Sequence, residues 1–288
     1  MSLEPIPAPP SAARDVNLLT TARLVSDGAR WENGITFRPE PCGPGDTLDP
    51  FCVAPSGGTK SSGEAAGVVE WMPYGLHLAD ECAYTLNQDT FTELTQRVRR
   101  ALLAQTSEMI ESVLWTNVVD GTAFGAGGEG HPNVGLIDAP VTGTPAPPVN
   151  ALAQMDQLLA QAIGGKQGMI HVPAYLMHQL AFYGLVRREG NTWRTVTGHL
   201  VAPGTGYPGT DPDGNDDGNV WIYGTSMVEI RLSEVAVLPN TLPEAIDRAT
   251  NQLVVRAERL ALAYWDRCAH VGVPVCDTDP GPECGSES

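Results

Sequence analysis

The sequence predicts an α/β chain: one long helix laid on a sheet, followed by a compact lobe in which helix, strand and helix succeed one another. Three observations carry the prediction. Residues 88–115, QDTFTELTQRVRRALLAQTSEMIESVLW, are the one long stretch with clean helical periodicity: Phe91, Leu94, Val98, Leu102, Met109, Val113 and Leu114 recur mostly at steps of three, four or seven. Short runs rich in β-forming residues, bounded by Gly, Pro, Asn and Asp, lie before and after it. Between 150 and 183 a helical face, a short apolar run and a second helical face follow in order.

The long helix is uninterrupted by Pro or Gly, and Arg97, Arg99, Arg100, Glu108 and Glu111 lie largely between its apolar positions. Asp89 or Thr90 can cap its start, and Glu93 stands three residues after Thr90, as in a capping box. At ~1.5 Å per residue it runs about 40 Å. Its apolar stripe is wide rather than heptad-like, which suits packing on a sheet and not a coiled coil.

Taken in order, residues 1–30 are a Pro/Ala-rich arm. Residues 31–78 are an excursion: strands at Trp31–Arg38 and Val68–His77 bracket a Pro-, Gly- and Ser-rich tip. So long a loop is unusual inside a compact domain, and it makes sense if it reaches another chain. Residues 79–149 hold the long helix and a Gly/Pro-rich run. Residues 150–238 form the compact lobe. Asn150 to Ile163 is a helix with Leu152, Met155, Leu159 and Ile163 on one face and Gly164–Gly165 as its stop. Gly168 to Val172 is a buried strand, and Pro173 opens a helix through Tyr183. Strands are expected at 191–201, 220–223, 227–231 and 234–238, with a short helix over 243–249. Residues 239–276 return to sheet as one long strand or a pair, and the tail 277–288 is expected to be disordered.

The net charge is −17, with Lys60 and Lys166 the only lysines, which suits the chain poorly to gripping a nucleic-acid backbone. No run approaches ~18 apolar residues, so no membrane span is expected. The first residues lack the basic and apolar regions of a secretory signal. The six cysteines form no C-x-x-C pair and no dense framework, so reduced thiols and cytosolic folding are expected.

Several patterns invite a chemical reading. Asp211, Asp213 and Asn215 open like a calcium loop, but Asp216 stands where the sharp turn needs Gly and Ile222 where a bidentate Glu belongs. Gly125, Gly127 and Gly130 satisfy G-x-G-x-x-G, yet His131-Pro132-Asn133 follows instead of a helix that would receive a pyrophosphate. Cys268, His270, Cys276 and Cys284 match no compact zinc spacing. His171 and His178 read as surface or packing histidines. No catalytic, cofactor-binding or metal residue is assigned, and the chain is not read as an enzyme; a calcium- or nucleotide-dependent enzyme built on the Asp211 or Gly125 loop is the rival of another class.

The layout resembles the major capsid proteins of tailed bacteriophages, the HK97-like fold, over about residues 15–276. The excursion before the long helix is similar to that family's E-loop, and the helix ending EMIESVLWTN to its peripheral-domain spine helix. The run ALAQMDQLLAQAIGGKQGMIHVPAYLMHQL is similar to its axial domain, GNVWIYGTSMVEIR to the late strands of that domain, and AERLALAYWDRCAHVGVPV to the last peripheral-domain strands. The resemblance implies an α+β fold with N-terminal arm, extended E-loop, peripheral domain and axial domain. It implies a virion protein, assembled in the host cytoplasm into hexamers and pentamers of an icosahedral shell. That shell encloses DNA without binding it specifically, and scaffolding, portal and decoration proteins are the implied partners. An encapsulin-type nanocompartment shell keeps the same fold and is the nearer rival. Some relatives join subunits through a Lys–Asn isopeptide bond, and Lys60 lies at the tip of the excursion where such a lysine would sit; a solubilising lysine on a polar loop is the favoured reading.

Overall fold

In the computed structural model the described residues are 15–26, 30–39, 42, 68–83, 88–119, 122–123, 132–141, 143–214, 218–250 and 252–276. The chain runs through α1 (Leu18–Thr21), β1 (Arg23–Leu24), a 3-10 turn at Trp31–Asn33, β2 (Ile35–Phe37), β3 (Val69–Trp71) and β4 (Tyr74–Ala83) to α2 (Gln88–Thr116). It continues through β5 (Val118–Val119), β6 (Thr122–Ala123), α3 (Pro148–Ile163), β7 (Gly168–Pro173), α4 (Leu176–Phe182), β8 (Val186–Glu189), β9 (Thr192–Thr195) and β10 (Leu200–Gly204). It closes with β11 (Asn219–Ser226), β12 (Glu229–Leu232), β13 (Ala236–Leu238), α5 (Leu242–Ala245), β14 (Ile246–Asp247), β15 (Gln252–Tyr264) and β16 (His270–Cys276). Two compact units divide it: one of residues 1–15, 75–106 and 233–260, the other of 16–74, 107–232 and 261–288. No described helix is long and apolar enough to cross a membrane.

The helix α2 covers the stretch expected of it. Phe91, Leu94, Val98 and Leu102 are buried, as the periodicity requires, but further along Ile110, Leu114 and Trp115 are the buried positions while Met109 and Val113 are half-exposed. An ideal 3.6-residue helix drifts against a seven-residue step, so a stripe extrapolated in sevens walks off the buried face. Residues 84–87 are not described, and Gln88 is already helical. Asn117 ends the helix in the left-handed region at φ 54°, its N–H donating to Val113 O at 2.8 Å; Asn tolerates that conformation better than most residues.

In the first unit, β13 and β14 pair antiparallel with the leading half of β15, in registers that set Val237 opposite Ala257 and Ile246 opposite Leu253. Leu253, Val255 and Ala257 are buried at every second position, the period of a half-buried strand. Arg97 and Asp80 form an ion pair at 2.5 Å on the surface of this unit.

The second unit is built on a six-stranded mixed sheet in the order β16-β11-β7-β10-β9-β8. The strand β7 is buried at all six positions, as befits a strand parallel to β10 on one side and antiparallel to β11 on the other. The helix α3 lays Ala151, Leu152, Met155, Leu159 and Ile163 into the same core as Leu176, Met177 and Leu180 of α4 and the inward residues of β11 and β16. Pro148 occupies the first turn of α3, where its missing N–H costs nothing, and Gly164 ends it at φ 63°. A smaller ladder in this unit joins β1 to β12, in parallel, and β12 to residues 261–264 of β15.

Several expectations are corrected. The arm is not featureless through residue 30: Asn17 caps α1, accepting from Thr20 N at 3.0 Å, and Arg23–Leu24 pairs with Glu229–Ile230. Long-range pairing supplied the order that local periodicity lacked. Trp31–Asn33 is a 3-10 turn, and only Ile35–Phe37 is strand. Pro173 closes β7 and does not open the next helix, which begins at Leu176. The span 186–204 holds three strands, because Gly190 and Gly198 turn the chain at positive φ. The closing run takes the expected alternative of a strand pair, divided at Trp265–Ala269, and the two strands lie in different sheets. The thiols are not all reduced: Cys42 and Cys268 are joined at 2.06 Å, and Cys276 is disulfide-bonded. The 226 residues between Cys42 and Cys268 leave no spacing signal to read. The tail 277–288 lies outside the described residues.

A close approach fixes α2 within the second unit. The Gly206 backbone runs so near the helix that a Cβ there would lie 2.2 Å from Glu108 O and 2.8 Å from Glu111 Cβ. Gly206→Ala is expected to lower stability by about 1–3 kcal/mol through this overpacking, read as a drop in urea midpoint; an unchanged midpoint would show that the contact relaxes freely.

Candidate functional site

The candidate functional features of the second unit are the ladder at the root of the excursion, a buried polar centre and an exposed aromatic edge. The root of the excursion is the two-stranded ladder of β2 and β3, with Ile35 opposite Trp71 and Phe37 opposite Val69. Just past it, Asn133 acts as a surrogate strand: its Oδ1 accepts from Met72 N at 2.7 Å and its Nδ2 donates to Met72 O at 2.8 Å. Asn117 Nδ2 in turn donates to Asn133 O at 3.1 Å. Arg267, at φ 61°, reaches the same place, donating to Glu70 O at 3.2 Å and to Pro132 O, with its guanidinium 4.8 Å from the Trp71 ring centre. Trp71 packs at 4.6 Å against Trp265. Planar charge over indole and a buried aromatic pair each add to area burial. The ladder is thus held at its base, and the tip of the excursion lies outside the described residues.

The buried polar centre joins α2 to the sheet. Glu111 is 1% exposed and accepts from Leu18 N at 3.0 Å, Ser107 Oγ at 2.9 Å and Gly206 N at 3.0 Å. Its charge is therefore spread over two backbone donors and a hydroxyl. Beside it, His171 is fully buried between Tyr207 Oη and Thr225 Oγ1, both at 2.9 Å. The Thr225 hydroxyl spends its hydrogen on Ser226 O at 2.8 Å, so it accepts from His171 Nε2–H, and Nδ1 accepts from Tyr207. The bonds run one way, and they fit only the neutral imidazole. Burial, with His270 nearby, lowers the His171 pKa to about 3. Burial raises the Tyr207 phenol well above its ordinary value, and the charge of Glu111 pushes in the same direction. Trp115 stands edge-on to Tyr223 at 4.8 Å and donates to Thr210 Oγ1 at 3.1 Å. Burial keeps His171 and Tyr207 neutral across neutral pH, which suits a structural joint better than proton transfer.

The exposed edge is aromatic. Phe182 is 84% exposed and packs edge-on to Tyr183 at 5.4 Å, and Val196 is 73% exposed. The neighbouring strands β8 and β9 carry Arg187, Arg188 and Arg194, with Glu189 pairing to Arg187 and Arg194 at 2.9 and 3.0 Å.

The patterns singled out in the sequence fall as follows. Lys60, Gly125, Gly127, Gly130, His131, Asn215, Asp216 and Cys284 lie outside the described residues. Asp211 accepts the turn-closing bond from Gly214 N at 2.9 Å. Cys268 and Cys276 have their sulfurs in disulfides, which removes them as metal ligands, and His270 donates to Leu136 O at 3.2 Å. His171 and His178 do not converge: one is fully buried and the other exposed. Among the described residues no group of three or more His, Cys, Asp or Glu is placed to hold a metal ion. Sequence reading missed Glu111, Asn133 and Arg267 as joints. Glu111 gave one signal, a carboxylate on the apolar side of the helix among Ser107, Ile110 and Leu114.

The neutral His171 makes stability depend on pH. Its folded pKa is depressed below the unfolded value of 6.5, so its contribution is complete above pH 6.5 and is lost as pH falls toward about 3. The slope is about 1.4 kcal/mol per pH unit in that window. Urea midpoints measured from pH 7 to 4 are expected to fall, and the fall is expected to be shallower in His171→Gln.

No protein-family model matches the chain, and no curated protein matches it. Solved structures do. A chain from Gordonia phage Cozz is similar with a TM-score of 0.55 and 12% identity, over 91% of this chain and 87% of that one. The capsid of the empty GTA particle is similar with a TM-score of 0.54 and 10% identity, over 96% and 95%. A chain from Mycobacterium phage Ogopogo is similar with a TM-score of 0.53 and 12% identity, over 96% and 97%. The chain has the mixed α/β fold of these neighbours.

Proposed function

We propose that this chain is the major capsid protein of a tailed double-stranded DNA bacteriophage, self-assembling into hexamers and pentamers of an icosahedral shell around the genome. The observation that carries the reading is the fold, matched end to end with the capsid of the GTA particle, over 96% of this chain and 95% of that one. The surface supports it. An exposed aromatic pair beside an arginine-bearing strand edge suits contacts between copies more than a free surface. The ladder at the root of the excursion is fixed by Asn133 and Arg267, which suits a segment that must meet a neighbour in a set direction. The charge of −17 repels packaged DNA and so leaves the genome free to slide. The role is structural and not enzymatic. Scaffolding, portal and decoration proteins are the partners such a shell would use, and its place is the virion.

Negative-stain electron microscopy with size-exclusion light scattering tests this. Closed shells, or rings of five and six subunits, are expected. A monomer or dimer that never assembles at high concentration or with added scaffold would sink the reading, and shells co-purifying with an enzyme instead of DNA would shift it to a nanocompartment. Lys60 is expected to act as a solubilising residue on the excursion, so mature particles should run as monomers in boiled SDS gels. A ladder of covalent oligomers, abolished in Lys60→Ala, would instead make it a cross-linking lysine.

A further inference from the structure

The turn at 266–268 grips the excursion on both sides of its root. Arg267 holds the returning strand through Glu70 O and the Trp71 ring. Cys268 holds the outgoing side through Cys42, five residues beyond the end of β2 at Phe37, with Cα atoms 5.1 Å apart. The turn is itself braced: Asp266 Oδ1 accepts from Cys268 N at 2.9 Å and from the Ser226 hydroxyl. The grip on the returning strand involves no sulfur. The anchor of the returning strand therefore does not depend on the disulfide. Cys42 is exposed and Cys268 half-buried. A cleft of about 290 Å³ lies against both and is lined also by Lys166, Gln167 and Asp266. A small reagent can reach the sulfurs there.

We propose that Cys42 and Cys268 are a redox-operated clasp: thiols while the protein folds in a reducing cytoplasm, joined once a low-molecular-weight disulfide reaches them outside it. The exposed Cys42 thiolate attacks one sulfur of the small disulfide, forming a mixed disulfide and expelling one small thiolate. The Cys268 thiolate then attacks the Cys42 sulfur, closing the protein bond and expelling the second small thiolate. The two protons lost by the protein thiols end on the two small thiols, so the protein is oxidised by two electrons and the reagent reduced by two. In a reducing compartment the same steps run backward. The bond ties positions 226 residues apart and so strips much freedom from the unfolded chain. It adds to the non-covalent root a lock that does not need a neighbouring subunit. The order of compartments rests on the capsid reading; the clasp itself does not.

The test uses the full-length protein from a reducing host. One portion is lysed directly into an alkylating agent, and another is purified and incubated with oxidised glutathione. Alkyl label on both Cys42 and Cys268 is expected in the first, and a linked Cys42–Cys268 peptide in the second. Oxidation is expected to raise the melting temperature by about 5 °C or more, reversed by dithiothreitol and smaller in Cys42→Ser, in which the Cys276 disulfide can still form and whose exposed position makes the substitution benign to folding. A linked peptide already present in the directly alkylated lysate would overturn the switch, since the bond would then be permanent. Absence of the linked peptide after oxidation, or its presence with no change in melting, would overturn the clasp. Electron microscopy of the same preparations reports shell formation independently, so failure of the clasp and failure of the capsid reading are separate results.

Discussion

The second unit depends on one buried carboxylate. Glu111 sits on α2 with no water to solvate it, and a charge in that position is tolerable only if donors surround it. Leu18 N, Ser107 Oγ and Gly206 N are those donors. The requirement runs both ways. The first N–H of α1 and the N–H of Gly206, just past the end of β10, would be costly orphans without Glu111. One side chain thus obliges the start of the chain and the end of a central strand to meet the same stretch of helix. Gly206 has no side chain because the helix leaves no room for one.

Around that joint the sheet supplies rigidity and the polar centre supplies register. The strand β7, buried on both faces, carries His171 into the middle of the layer, and its two hydrogen bonds fix both Tyr207 and Thr225. An apolar residue there would pack without specifying which neighbours it touched. A directional chain of bonds specifies them, and it does so with groups whose pKa values burial has moved out of the working range.

What the sequence disclosed was the part of the fold written in local period. The helices α2 and α3 were legible from apolar spacing and from Gly164–Gly165 as a stop, and β7 from a short run that is apolar apart from His171. The succession of long helix and then helix, strand and helix was legible as an order of elements. What stayed hidden was written in long-range pairing. Arg23–Leu24 has no strand-like period and becomes a strand only because β12 lies beside it. Asn133 looks like a loop residue until its amide is seen paired in both directions with Met72. The cysteines looked like isolated thiols because disulfide partners are chosen by the fold and not by spacing. The strands β9 and β10 were blurred into one at 191–201, and β8 was not read as a strand, because short turns leave little compositional mark.

The partnership of β1 with β12 carries a consequence for synthesis. Arg23 meets Glu229 across 206 residues, whereas Leu18 meets Glu111 across 93. A ribosome extending the chain makes the helix that receives α1 long before it makes the strand that receives β1. The last ladder of the second unit also needs residues 261–264, which arrive later still. Closure of this unit is therefore a late event in translation, dominated by distant contacts and correspondingly slow. A nascent chain lacks the surface made by β1 and β12 until residues 261–264 have been added.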